Sequence, residues 1–325
     1  MHISLILTGG TICSRTDPDG LRRSDADRAG TILEARFRQA HPDSDAVFQV
    51  HSPVNCLSED LTPPDLTALL NCLAGLDLRD TDGIIIAHGT DTLDQTAAFL
   101  SAALPEIAVP VLLVSAIAPP EHPASNADAN FAAAVSLIAK GLAPAVWAVY
   151  QNTDGVVYLH AGAELERCNH GSADFFSPNM LPAKNAPLAP KRPVKPLDRV
   201  QRDAETLLLH PYNGLRYDCI PLDGVSAVVH GTYHSCTANS AADSPYSVLT
   251  LLRRCAEYGI PCFLAPCNPE TAQYGSTAIL LHAGAIPLDL PLTFAHMAVR
   301  LGVLRGLSGD ALTGFIRSAY ESAKA

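Results

Sequence analysis

The sequence predicts an α/β protein of two domains, a larger N-terminal one on a doubly wound, mostly parallel sheet and a smaller C-terminal one. Three observations predict it. The run Gly83-Ile84-Ile85-Ile86-Ala87 is apolar throughout, as in a central parallel strand covered on both faces. Strand-like and helix-like stretches alternate from Ile3 to Gln151, the order of a parallel sheet with crossover helices. Between Pro182 and Pro196 lie five prolines with Lys184, Lys191, Arg192 and Lys195, a linker composition. At 325 residues the chain exceeds one small core. The expected boundaries are 1–186 for the first domain, 187–204 for the linker and 205–325 for the second domain.

Taken in order, Ile3 to Leu7 is a strand that ends in Thr8-Gly9-Gly10-Thr11-Ile12. Cys13 to Arg23, rich in Asp, Gly, Pro and Arg, reads as a hairpin or lid. A helix over Asp25 to Gln39, a strand over Ala46 to His51 and a loop to Asp60 follow. Thr62-Pro63-Pro64 opens the next helix, with proline in the first turn, where its missing N–H costs nothing. After the triple-isoleucine strand, Leu93, Ala97, Leu100 and Leu104 recur at helical spacing. Val109 to Ser115 and Ala145 to Gln151 are further strands around an Ala-rich helix over Asn130 to Gly141. Beyond the linker, 206–209, 227–230 and 262–265 read as strands, and 245–258, 292–301 and 310–323 as helices.

A net charge of −11, from 22 basic and 33 acidic residues, argues against nucleic acid or an anionic membrane as partner. No apolar run is long enough to span a bilayer, and the N-terminus lacks the pattern of a secretory signal. The nine cysteines are scattered without a CxxC pair, which predicts reduced thiols and a cytoplasmic protein. Cys13 beside the first glycine turn reads as a core or site-lining thiol.

Chemistry concentrates after two strands. Thr8-Gly9-Gly10-Thr11 offers a hydroxyl on a turn whose amides a ligand can approach. His88-Gly89-Thr90-Asp91-Thr92 follows the central strand, at the strand end where α/β sheets bind ligands. A threonine hydroxyl becomes a nucleophile only when a base or relay takes its proton. Each motif alone also reads as a bare turn or helix cap; together they predict one site. His88, His160 and His170 are candidate proton carriers. His230-x3-His234 with Cys236 has zinc-type ligands but no fourth partner at a defined spacing, so no metal is expected.

These two motifs resemble the signature segments of the bacterial-type L-asparaginases, and the resemblance covers nearly the whole chain. It implies a two-domain α/β amidohydrolase without cofactor, acting on asparagine or glutamine as a homodimer or homotetramer, of the cytoplasmic branch. By that resemblance Thr11 is the catalytic nucleophile, and Thr90 and Asp91 form a second catalytic relay. Gly10, Ser58, Glu59, Gly89 and Asp91 hold the substrate, Ser58 its α-carboxylate and Glu59 its α-amino group. Ser125-Asn126-Ala127-Asp128 stands where the family has Ser-Asp-Gly, and Phe175-Phe176-Ser177-Pro178-Asn179 matches the run after the catalytic lysine. Tyr233-His234-Ser235, Glu270 and Tyr274 fall in loops that approach a neighbouring protomer or a regulatory pocket. Two positions depart from the pattern. Leu21 stands where the lid tyrosine belongs, and Glu166, next to Arg167, where the lysine belongs. A leucine moves no proton, and an arginine does not release one. The alternatives are therefore an impaired amino-acid-binding or sensor protein, and an amidase with a shifted substrate.

Overall fold

The computed structural model describes residues 1–166, 171–200, 204–270 and 274–324. The chain divides into two compact units, Met1–Gln201 with Glu321–Ala325, and Arg202–Tyr320. The fold is α/β in both.

In the first unit the order is β1 (His2–Leu7), β2 (Ser14–Thr16), β3 (Arg22–Ser24), α1 (Ala26–Ala40), β4 (Val47–His51), α2 (Pro63–Ala74) and β5 (Gly83–Ala87). Then come α3 (Leu93–Ala103), β6 (Val111–Val114), α4 (Ala127–Ala139), β7 (Val146–Gln151), β8 (Val157–Ala161) and β9 (Leu181–Pro182). Seven strands form one sheet in the order β4-β1-β5-β6-β7-β8-β9. The first five run parallel; β8 and β9 add on antiparallel. β2 and β3 make the separate hairpin expected after the first turn.

Strand order reverses between β1 and β5. From β1 the chain steps outward to β4, then returns across to β5 and continues to β7. α1 packs with α4 and α2 with α3, so the helices divide between the two faces. On that division the β1–α1–β4, β4–α2–β5 and β5–α3–β6 crossovers share one hand. The β6–α4–β7 crossover has the opposite hand, against a strong general preference for right-handed connections.

Alternation across the strands builds the core. Leu5, Leu7, Ile85, Leu112, Val114 and Val149 face α1 and α4, where Leu33, Phe37 and Phe131 meet them. Ile84 and Ile86 point the other way and are equally buried. The single tryptophan, Trp147 on β7, is 4% exposed and donates its indole N–H to the Ala143 carbonyl at 2.9 Å.

The proline-bearing segment lies along the first unit. Arg192 donates its N–H to Ala108 O at 2.9 Å, and Val200 is held at both N–H and carbonyl by the Asn71 side chain. Lys191 and Lys195 pair with Asp82 and Glu106.

The second unit holds β10 (Glu205–Leu209), β11 (Val225–Gly231), α5 (Val248–Tyr258), β12 (Cys262–Ala265), α6 (Gly275–His282), β13 (Ile286–Pro287), α7 (Leu292–Leu304) and α8 (Gly309–Ala323). Its four strands are parallel in chain order. Leu251, Leu252 and Cys255 of α5 close over Val228 and Leu264. Ser247 caps α5 by accepting the Leu249 N–H at 3.2 Å, and Gly259 ends it in the left-handed region, φ 67°. No described helix is long and apolar enough to cross a membrane.

Candidate functional site

A doubly wound sheet opens a crevice where its strand order reverses, at the carboxyl ends of the strands on either side. Here those are β1 and β5. Leu7 is level with Ala87 in the ladder, and Thr8 continues the pairing, its N–H and hydroxyl both donating to Ala87 O at 3.1 and 3.0 Å. The two glycine-bearing turns therefore leave the sheet side by side.

Their backbones touch. Gly10 has φ 72° and ψ −171°, a conformation essentially reserved for glycine, and a Cβ there would lie 2.1 Å from Gly89 Cα. A Cβ on Gly89 would in turn lie 2.3 Å from the Ser58 hydroxyl. Gly10, Gly89 and Ser58 are thus stacked with no room for a methyl group, which explains both glycines. Gly10→Ala is expected to cost about 2–4 kcal/mol, from overpacking plus backbone strain. An unchanged midpoint in urea unfolding would contradict that contact.

Ser58 links the loop after β4 to the second motif. Its hydroxyl donates to Asp91 Oδ2 at 3.1 Å and accepts the Asp91 N–H at 3.2 Å, while Thr92 Oγ1 donates to the Ser58 carbonyl at 2.9 Å. Cys56 ties the same loop to the first motif, its carbonyl accepting the Gly10 N–H at 2.8 Å. Ser58 is buried, Thr11 and Thr90 are partly exposed, and Asp91 and Glu59 are exposed. No hydrogen bond among the described residues holds the Thr11 hydroxyl. Asp91 and Thr92 immediately precede α3, whose N-terminal amides and dipole favour negative charge at this end of the sheet.

The histidines take structural roles. His88 is fully buried, with Nδ1 2.8 Å from Gly89 O and Nε2 2.9 Å from the Thr96 hydroxyl. Burial pushes its pKa down to about 4, so the neutral ring braces the turn against α3 rather than carrying protons. His160 sits on β8, three strands from β5, with Nδ1 3.0 Å from the Ser177 hydroxyl and its pKa pushed by burial to about 4. In the sheet order it is remote from the β1/β5 crevice. His170 and Arg167 lie outside the described residues. Cys13 is buried, and burial raises its thiol to about 12, which removes it as a nucleophile.

The departing positions are both on the surface. Leu21 is 59% exposed at the start of β3, on a hairpin whose Arg15 and Arg23 share Asp17. Glu166 is exposed, its N–H donating to Phe176 O at 2.9 Å, while the nearby Glu164 accepts from Asn179. Asn126 of the Ser-Asn-Ala-Asp segment serves as a brace, bonding Ile117 N and Gln151 O.

In the second unit, His230 is buried with Nε2 2.7 Å from the Tyr217 hydroxyl, and Cys236 occupies a turn with φ 56°. Among the described residues no three His, Cys, Asp or Glu side chains converge as metal ligands. Glu270 N–H donates to Asn268 Oδ1 at 2.9 Å, and Tyr274 is exposed.

Comparison with known proteins agrees with this architecture. The D-type component of the glutamyl-tRNA(Gln) amidotransferase of Thermoplasma volcanium is 28% identical over 180 residues, 54% of this chain and 42% of that protein. The match thus spans less than half the length of that relative. The L-asparaginase I of Vibrio cholerae superposes with a TM-score of 0.76 at 22% identity, covering 97% of this chain and 96% of that one. A thermostable L-asparaginase from Thermococcus kodakarensis gives 0.75 at 19% identity, covering 98% and 97%. At such identities the superpositions show a shared fold. The family model described as asparaginase, N-terminal, matches residues 2–189, more than half of the chain. This chain belongs to the asparaginase family.

Proposed function

We propose that the protein is an amidohydrolase in which Thr11 attacks the side-chain carboxamide of asparagine, or of glutamine. The observation that supports this is the contact of Gly10 with Gly89 and of Gly89 with Ser58. It brings the turns that carry Thr11, Thr90, Asp91 and Ser58 to one crevice. Thr11 Oγ bonds to the carboxamide carbon, and its proton passes through Thr90 and Asp91 to the leaving nitrogen. The C–N bond breaks and ammonia leaves. Water then attacks the acyl ester, returns a proton to Thr11 Oγ and releases the acid. Amides of the glycine turns and the start of α3 stabilise the oxyanion. Ser58 and Glu59 grip the amino acid's carboxylate and amine.

With His88 locked, the turns 8–13, 55–60 and 88–92 offer the carboxylates Glu59, Asp60 and Asp91 as proton acceptors. The test is ammonia release by the purified protein from L-Asn, L-Gln and their D-isomers. Ser58→Ala should raise KM by about 10- to 100-fold, since a hydrogen bond to a charged group contributes about 1.5–3 kcal/mol, with a smaller change in kcat.

A second reading is favoured by the exposed Leu21 and Glu166, which leave no tyrosine or lysine at the family's proton-handling positions. It is an amino-acid-binding protein that no longer turns over. Calorimetry showing amino-acid binding without ammonia release would select it. The double change Leu21→Tyr, Glu166→Lys should then raise kcat by about 10²-fold or more, the usual contribution of a positioned acid or base.

The amidotransferase relatives are, by their name, components of a larger enzyme. For this chain we favour a homo-oligomer with a small amino-acid substrate, which sedimentation of the purified protein would check. The thiols among the described residues are all free, which supports a reducing, cytoplasmic setting.

A further inference from the structure

Cys255 and Cys262 meet inside the core of the second unit, and the turn from α5 to β12 brings them together. α5 ends in a reversal in which Ile260 N–H donates to Cys255 O at 2.8 Å and Gly259 N–H to Ala256 O at 3.2 Å. With Gly259 left-handed, this pattern folds Ile260 back against Cys255, one turn up the helix. The chain then runs extended, where side chains two apart share a face. Cys262, the first residue of β12, therefore faces α5 as Ile260 does. Both cysteines join Val228, Leu251 and Leu264 in one apolar core, 2% and 3% exposed, and both are free thiols.

Their contact makes the two thiols unlike. The hydrogen bond between them, helped by the Arg254 charge, outweighs burial and holds the Cys255 pKa below the ordinary thiol value. The same bond, added to by burial, pushes Cys262 well above that value. Cys255 is thus the more nucleophilic member, and Cys262 lies against it.

Access comes through the helix end. Cys255 is the last buried residue of α5, and Ala256, Glu257, Tyr258 and Gly259 beyond it are exposed. Local opening of a helix terminus is inexpensive, so fraying of this turn uncovers Cys255. β12 stays in place between β11 and β13. The pair sits at the amino end of β12, opposite the loops that follow β11 and β12, and needs nothing from a neighbouring protomer.

We propose that Cys255 and Cys262 are a peroxide-sensitive modification site that closes reversibly to an intrachain disulfide, pinning α5 to β12. Cys255 Sγ attacks one oxygen of hydrogen peroxide, the O–O bond breaks, and water leaves as a sulfenic acid forms. Cys262 Sγ then attacks the Cys255 sulfur and displaces a second water. Two thiols lose two protons and two electrons, and one peroxide becomes two waters. A dithiol reductant reverses the link. The site is independent of the amide-hydrolase reading.

The test is peroxide treatment of the full chain, then alkylation, digestion and mass mapping of all nine cysteines. Cleavage at Glu257 separates the partners, so a link between them survives as two joined peptides, and fragmentation tells Cys262 from Cys267. The expected result is a Cys255–Cys262 link, lighter by two hydrogens than the reduced pair and cleared by dithiothreitol. Cys262→Ala should leave Cys255 as a sulfenic acid that dimedone traps, whereas Cys255→Ala should leave Cys262 a thiol at the same dose. The wild-type map decides even where a variant fails to fold. Free Cys255 and Cys262 at a dose that converts the exposed Cys219 to sulfinic acid would overturn the proposal. So would a link from either residue to any other cysteine, or oxidation of both without a link.

Discussion

With Thr11 as the proposed nucleophile, Thr11→Ala should lower ammonia release from the best amide substrate by at least about 10³-fold, since removing the nucleophile of a catalytic set typically removes most of the acceleration. At about 1.4 kcal/mol per tenfold, this is some 4 kcal/mol or more of lost transition-state stabilisation. The fold should be untouched, because the Thr11 side chain is partly exposed and carries no packing role comparable to buried Ile12 beside it. Substrate affinity by calorimetry should change little, since the proposed substrate contacts, Ser58, Glu59 and Asp91, remain. Thr11→Ser keeps the hydroxyl and should keep measurable turnover. The decisive measurement is the rate of the alanine variant after removal of contaminating host amidase by two orthogonal purification steps. Full activity in that variant would refute the nucleophile assignment, whatever the substrate proves to be.

Acid should unfold both units through their histidines. His88 and His160 in the first unit, and His230 and His296 in the second, are buried, and burial lowers each to about 4. At neutral pH these rings are uncharged in the folded and unfolded chain alike. As pH falls below about 6.5, the unfolded chain takes up protons that the folded chain refuses. Stability is therefore present above about 6.5 and is lost progressively down to about 4. The full shift is worth about 3 kcal/mol for each ring, and at pH 5 roughly 2 kcal/mol each, or about 4 kcal/mol in either unit. That is a large part of a typical domain's 5–15 kcal/mol. Urea titrations followed by far-UV circular dichroism should show the midpoint falling steeply between pH 7 and pH 5. A flat midpoint over that range would mean that the rings protonate in place.

The glycine turns were legible in the sequence because close backbone contact demands residues without Cβ, and Gly10 and Gly89 announce that demand. The alternation of apolar runs likewise revealed both sheets. Ser58's bond to Asp91 was not legible from periodicity, since the two are 33 positions apart and meet only once the sheet order is known. The resemblance supplied Ser58; the strand order supplies the reason. His88 stayed open in the sequence, where a lone histidine is more often packed than reactive; the partner that packs it, Thr96, lies along α3, eight positions on. α6 was missed because Gly275 to His282 is short and apolar without a polar face, so no stripe marks it. The reversed β6–α4–β7 crossover leaves no trace in any residue pattern, since handedness depends on which face a helix takes and not on its composition.

Trp147 gives the two halves separate voices. It is the chain's sole indole and is sealed inside the larger sheet, so its fluorescence follows that half alone, while ellipticity follows both. A lag between the two signals during acid titration would apportion the histidine penalty between the halves without altering a residue.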